Sequence, residues 1–185
     1  MRYLDNRYYH LYNRGSRAKE IFSEDKNYTY FLRLLSVNTE KHAVQIAAYC
    51  LMPNHYHLIV KQEAGGKISK LIQSTIISYV QAVNKQFHFS GSLFQGKAKA
   101  KIIDSDEYAI QVVRYIHFNP VRANLVEKPE QWKYSDFSRW IGKLDVISGI
   151  LGNRTGCFVD AVDYLAYVES YREESNSNMI NKYLF

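Results

Sequence analysis

The stretch Met52-Pro53-Asn54-His55-Tyr56-His57-Leu58-Ile59-Val60 constrains this chain more than any other. A Pro-Asn turn leads into an apolar run that reads as a strand. Side chains on a strand alternate between faces, so His55, His57 and Ile59 form one row and Tyr56, Leu58 and Val60 the other. Two imidazoles on one face of a rigid strand supply two thirds of a metal site. Core histidines satisfied by hydrogen bonds are the plainer reading of such a pair. In a basic, tyrosine-rich chain the metal reading points to chemistry on a phosphodiester.

Other elements arrange themselves around that strand. Val44 to Leu51 reads as a buried strand, and the Pro53-Asn54 turn makes it the hairpin partner of His55 to Lys61. Upstream, Tyr8-Tyr9-His10-Leu11-Tyr12-Asn13 is strand-like and stops at Arg14-Gly15. Asp25 is placed to cap a helix through Phe31, Leu32, Leu34 and Leu35. After Gly65-Gly66, the residues Ile68, Leu71, Ile72, Ile76 and Tyr79 mark an amphipathic helix that Ser90-Gly91 ends. Phe94 to Ile103 reads as a strand with Lys97, Lys99 and Lys101 on one face. A further helix follows Asp104-Ser105, striped by Ala109, Val112, Val113 and Ile116 and closed by Pro120. This order predicts an α+β fold, a ferredoxin-like or split βαβ antiparallel sheet with helices on one face. Residues 1–130 form the main domain and 131–185 a C-terminal helical extension, interrupted by Gly149, Gly152 and Asn153.

Composition narrows the function classes. The formal charge of +6 suits a polyanion. Sixteen tyrosines, within 15% aromatic residues, offer flat partners for unstacked bases. No run approaches the roughly 18 apolar residues of a membrane span, and Met1-Arg2-Tyr3-Leu4-Asp5 is too polar for a signal peptide. A cytoplasmic protein with no membrane partner is expected. Cys50 and Cys157 lie far apart without metal-ligand spacing and read as reduced thiols.

Tyr115 and Asn119 lie four apart and share a face of the last helix, at the flank of its apolar stripe. Asn119 offers a neutral oxygen to a hard divalent ion. Tyr108 is the rival tyrosine on the same helix. The residue before a proline avoids the α region, so the helix can end before Asn119.

At this point several separated blocks match a known pattern. Asn13-Arg14-Gly15 with Ile21-Phe22, the histidine block from Met52 to Leu58, Phe94-Gln95-Gly96-Lys97, the block from Arg114 to Arg122, and Trp132 to Phe137 occur in order. Together they resemble the REP-associated tyrosine transposases, members of the single-tyrosine HUH transposase superfamily. Two departures are Lys97 for an arginine and Asp136 for a serine. The resemblance implies that His55, His57 and Asn119 hold Mg²⁺ or Mn²⁺ and that Tyr115, not Tyr108, is the nucleophile. It implies a catalytic domain over residues 1–130 and a transposase that cuts single-stranded or hairpin DNA through a 5′-phosphotyrosine.

Lys97, Lys99, Lys101, Arg114 and Arg122 are candidates for the DNA backbone and for charge beside the tyrosine. A lysine row on a strand is more often a solvated edge. A homodimer remains open, as does a tyrosine acting in its own chain or a partner's. The alternative is a non-catalytic DNA- or RNA-binding protein that stacks bases on its sheet. A zinc hydrolase of small molecules is disfavoured, because the block that supplies the third ligand offers Asn119 there and not a third histidine or a carboxylate.

Overall fold

The computed structural model describes residues 2–142 and 161–171. Cys157 and the interrupting Gly149, Gly152 and Asn153 lie outside the described residues. Four strands, β1 (Tyr8–Arg14), β2 (Val44–Met52), β3 (His55–Gln62) and β4 (Lys99–Ile103), form one sheet in the order β2-β3-β1-β4. Every neighbouring pair is antiparallel. Helices α1 (Asp25–Lys41), α2 (Ile68–Phe87) and α3 (Asp106–Arg122) fall where the hydrophobic spacing places them. The α+β, ferredoxin-like order is therefore as expected.

The expectation of helices on one face holds for α1 and α2 and fails for α3. The central strands are apolar on both faces, and each face needs cover. Tyr56, Leu58 and Val60 of β3 join Phe31 and Leu35 of α1 and Leu71 and Tyr79 of α2 in one core. Ile59, Ala48, Cys50 and Met52 join Ala109, Val112, Val113 and Ile116 of α3 in a second core on the other side. A register shift between Ile46 and Ala48 inserts Ala47 as an extra residue in β2. Val44 and Ile46 before it face the first core, and so do Tyr49 and Leu51 after it. The bulge thus swaps odd for even along β2 and keeps both faces apolar.

Two boundaries differ from the sequence reading. β4 begins at Lys99, not Phe94. Phe94 makes only an isolated bridge to Gly15, and Gly96 turns the chain with φ of 75°. Lys97 consequently lies in a turn before the strand. In α3, Pro120 does not close the helix, which runs on to Arg122. Its missing N–H forfeits only the bond to the Ile116 carbonyl, close to the helix end. The burial of Ile116 and Phe118 outweighs the preference of Asn119 for extended backbone.

The expected boundary near residue 130 falls beside a stretch joined to β2. Trp132 Nε1 donates to the Leu51 carbonyl at 2.9 Å, and Leu51 N donates to the Tyr134 carbonyl at 2.9 Å. This segment covers the outer edge of β2, which would otherwise be open to pairing. Asp136 anchors it in the second core, ahead of the short α4 (Phe137–Trp140). Its carboxylate accepts from Tyr49 N at 2.7 Å, His117 Nε2 at 2.9 Å and Trp140 Nε1 at 2.8 Å. His117 Nδ1 is hydrogen-bonded in turn to the Tyr164 hydroxyl on α5 (Ala161–Glu169). The departure from serine at position 136 therefore ties β2, α3 and α4 together.

Asp136→Ala would leave three buried donors without their acceptor. Each such donor costs on the order of 1–3 kcal/mol, so a loss of about 3 kcal/mol or more is expected in urea unfolding followed by tryptophan fluorescence.

Candidate active site

The sheet row that carries the histidines continues across three strands. Register pairs His57 with Tyr12, and Tyr12 with Lys99. Tyr12, His57 and Lys99 therefore project from one face, the face that α3 covers. With His55 they floor a cleft of about 620 Å³ whose wall is Tyr115, Asn119 and Arg122 of α3. Arg14 and Gln95 stand at its rim, joined to each other by a hydrogen bond. Gly15 holds this rim together. Its N–H donates to the Asn54 carbonyl at 2.8 Å, and Ser16 N donates to Leu93 at 2.9 Å. A Cβ on Gly15 would lie 1.9 Å from the Lys19 carbonyl oxygen, so no side chain fits there.

The structure brings the proposed nucleophile and ligands together within one chain. The ring of Tyr115 meets that of His57 edge to face, with centroids 5.4 Å apart. His55 and His57 are 5.1 Å apart by the same measure. The Asn119 side-chain amide lies 3.3 Å from His55 Nε2. A half-turn of that amide presents its oxygen to the same point. Tyr108 is elsewhere, with the Lys101 ammonium 5.4 Å above its ring.

Electrostatics suit a divalent ion and an anion. Burial lowers His55 to about 4, and burial with the neighbouring His10 and His55 pushes His57 well below its ordinary value. Both imidazoles are thus neutral near pH 7, the form that binds metals. Among the described residues no three His, Cys, Asp or Glu side chains are grouped so that they could hold a metal ion by themselves. The candidate ion site is therefore two imidazoles completed by an amide, with no carboxylate. Arg14, Lys99 and Arg122 line the cleft, and among the described residues no acidic side chain does. The Tyr115 hydroxyl is raised by burial, against the opposing effects of Arg122 and of a hydrogen bond with Asn119. The Arg122 guanidinium lies 5.5 Å from the Tyr115 ring centre.

Three of the basic candidates stand apart from the cleft. Lys97 is exposed in the turn before β4. Lys101 projects from the histidine face but is parked over Tyr108. Arg114 is a correction to the sequence reading, being 1% exposed. Its guanidinium lies 4.2 and 4.7 Å from the ring centres of Tyr167 and Tyr171, and it donates to Ser170 Oγ at 2.8 Å. It sits between α3 and the residues at the end of α5 and is screened from any DNA backbone.

Sequence reasoning missed Arg14 as a charge of the cleft, and it missed the partners of both histidines. Asn54 Oδ1 accepts from His55 Nδ1 at 2.6 Å. His10 lies against His57, with rings 5.1 Å apart and inclined by 25°, and with its Nε2 2.9 Å from His57 Nδ1. The alternation of Tyr8, His10 and Tyr12 shows that they share a row, but not that this row abuts β3.

The profile of the family described as "Transposase IS200 like" matches residues 3–119. Among solved structures, one described as a REP-associated tyrosine transposase bound to a REP hairpin superposes with a TM-score of 0.67 at 16% identity, covering 86% of this chain and 93% of that one. A structure described as a putative transposase from Deinococcus radiodurans R1 has a TM-score of 0.45 at 19% identity, covering 63% of this chain and 93% of that one. A comparison with curated sequences returns no match.

The neutral histidines carry a pH signature. His10 is held at about 3 by burial and by Lys101, and His55 at about 4, against an ordinary 6.5. As pH falls below 6.5 the unfolded chain takes up protons that the folded one refuses, so stability declines toward pH 4. Each such histidine contributes up to about 1.4 kcal/mol per pH unit in that window. Urea midpoints at pH 7 and pH 5 should show the decline, and His10→Gln should make it shallower.

Proposed function

The chain belongs to the IS200-like transposase family and is an enzyme that acts on DNA, and we propose that it cuts and rejoins single-stranded DNA through Tyr115. The observation that carries this reading is the contact of the Tyr115 ring with His57 in a cleft lined by Arg14, Lys99 and Arg122.

A phosphodiester resists attack because its oxygens repel a nucleophile. The cationic groups of the cleft, Arg122 foremost, hold the backbone phosphate beside the Tyr115 hydroxyl. Attack of that oxygen on phosphorus breaks the bond to the 3′ oxygen. Tyr115 loses its proton, the departing 3′ oxygen gains one, and a 5′-phosphotyrosine remains. The covalent link conserves the phosphodiester energy, so a second 3′-hydroxyl can reverse the step without ATP. Arg122 and Asn119 oppose the effect of burial on the Tyr115 hydroxyl and so favour the phenolate.

His55, His57 and the Asn119 amide oxygen are the proposed holders of a divalent ion, Mg²⁺ or Mn²⁺. When bound, that ion would offset charge on a non-bridging oxygen and orient the phosphorus. The donor set fits, since both imidazoles are neutral and Asn54 occupies Nδ1 of His55, leaving Nε2 toward Asn119.

Hairpin DNA is the proposed substrate, on the motif resemblance and on the like fold described with a REP hairpin. Tyr115 lies against His57 of its own chain, which supports a tyrosine that acts within its own chain, alone or in a homodimer. Residues 1–130 are proposed to carry the catalysis, with the helical extension after them bracing α3. Among the described residues no helix is long and apolar enough to cross a membrane, and the cytoplasm is the proposed setting. The sheet does not favour the base-stacking alternative, because helices cover both faces of β2 and β3.

Purified protein with Mg²⁺ or Mn²⁺ is expected to cleave a hairpin-bearing oligonucleotide and to give a covalent protein–DNA band on a denaturing gel. Tyr115→Phe should abolish the band, and its persistence would remove the nucleophile assignment. His57→Ala should slow cleavage about a hundredfold or more, and Arg122→Gln about tenfold or more. Binding without any covalent product, whatever the oligonucleotide, would favour a non-catalytic protein.

A further inference from the structure

We infer that His10 is a positioning residue for the proposed ion site: it accepts the Nδ1 proton of His57 and so turns the Nε2 lone pair of His57 toward the cleft. The inference rests on the reading of His55 and His57 as ligands. It starts from a distance, the 2.9 Å between His10 Nε2 and His57 Nδ1. Two ring nitrogens that close share one proton between them, and which ring owns it decides what His57 can do. If His57 donates, its Nε2 is a bare lone pair, the form a metal requires. If His10 donates, His57 carries its remaining proton on Nε2 and cannot ligate.

The placement of the rings favours the first arrangement. His57 lines the cleft and His10 does not. Nδ1 of His57 is thus committed to the interior of the sheet, and Nε2 is the atom left for the cleft. The neighbouring ligand repeats the pattern. Nδ1 of His55 is bound by Asn54 Oδ1, a carbonyl oxygen that can only accept, and its Nε2 faces Asn119. Both imidazoles are thus gripped at Nδ1 by an adjoining residue, and both have Nε2 available. An outer partner on the non-ligating nitrogen is the usual means of fixing the ring and tautomer of a metal-binding histidine.

The unusual element is the partner itself. A carboxylate or carbonyl accepts without choice, whereas an imidazole can donate or accept. His10 Nδ1 is buried and has no hydrogen-bond partner among the described residues. It is left unpaired in either arrangement, as a donor in one and an acceptor in the other, so it biases neither strongly. The pair His10–His57 is therefore a two-position proton arrangement that a bound ion selects. His10 is itself 1% exposed and stacked on His57, which leaves the ring no freedom to swing away.

The test uses the full chain without DNA. Mn²⁺ titration followed by electron paramagnetic resonance should give wild-type binding that falls about tenfold or more in His10→Phe. His10→Gln, which can offer its amide oxygen to His57, should stay within a few-fold of wild type. In parallel, ¹⁵N-edited NMR of the wild-type histidines should show His57 with its proton on Nδ1 at saturating Mg²⁺. Wild-type Mn²⁺ affinity retained in a folded His10→Phe overturns the inference and leaves the ligand pair standing, whereas a His57 Nε2–H signal at saturating Mg²⁺ overturns both the inference and the reading of His57 as a ligand. A wild-type protein that binds neither ion removes both readings. Should His10→Phe fail to fold, the Gln variant and the wild-type NMR signal decide.

Discussion

Burial of the central strand pair on both sides is the constraint from which the rest of this structure follows. A strand with one apolar face can rest on water, but β2 and β3 have none to spare. Two helices on one side satisfy Tyr56, Leu58 and Val60. The other side, which carries Ile59 and both histidines, then needs a helix of its own, and α3 is the element that comes. The same hydrophobic demand that completes the core thus carries Tyr115 and Asn119 to the histidine row. The site is a by-product of the core's geometry, finished by groups at the ends of the elements.

Polar contacts then fix where along its axis α3 sits. Apolar packing is tolerant of small slides and rotations, whereas a buried carboxylate with three donors is not. Asp136 grips His117, which lies on α3 between Tyr115 and Asn119. From the outer side, Arg114 is stacked against Tyr167 and Tyr171. The described residues after 130 bear on the site without lining it, through the helix that bears the tyrosine.

Much of this was legible in the chain and the rest was not, for definite reasons. Periodicity located the elements because each buries a continuous face. The pairing of His55 with His57 and of Tyr115 with Asn119 was local, and local spacing is what sequence displays. The side of the sheet on which α3 lies was not local. It depended on both rows of β3 being buried, which the row of His55, His57 and Ile59 does not display on its own. Arg114 was misjudged because a charge in a basic motif looks like a surface charge, and its aromatic cover comes from residues more than a domain's core away in sequence. Pro120 was misjudged because local backbone preference yielded to the burial of its neighbours. His10 was invisible because only strand register joins it to His57.

The strand order has a consequence in time. β1 is the first strand synthesised, yet both of its neighbours come later, β3 at His55–Gln62 and β4 at Lys99–Ile103. It must wait, unpaired, until the chain has grown past them. The groups of the cleft are gathered from β1, β3 and the far end of α3, so a nascent chain holds no complete site until Arg122 has left the ribosome and the helix has docked. An enzyme that acts on DNA is by this topology without its complete cleft as a fragment, and Tyr115, the proposed nucleophile, is among the last of the cleft's groups to be delivered.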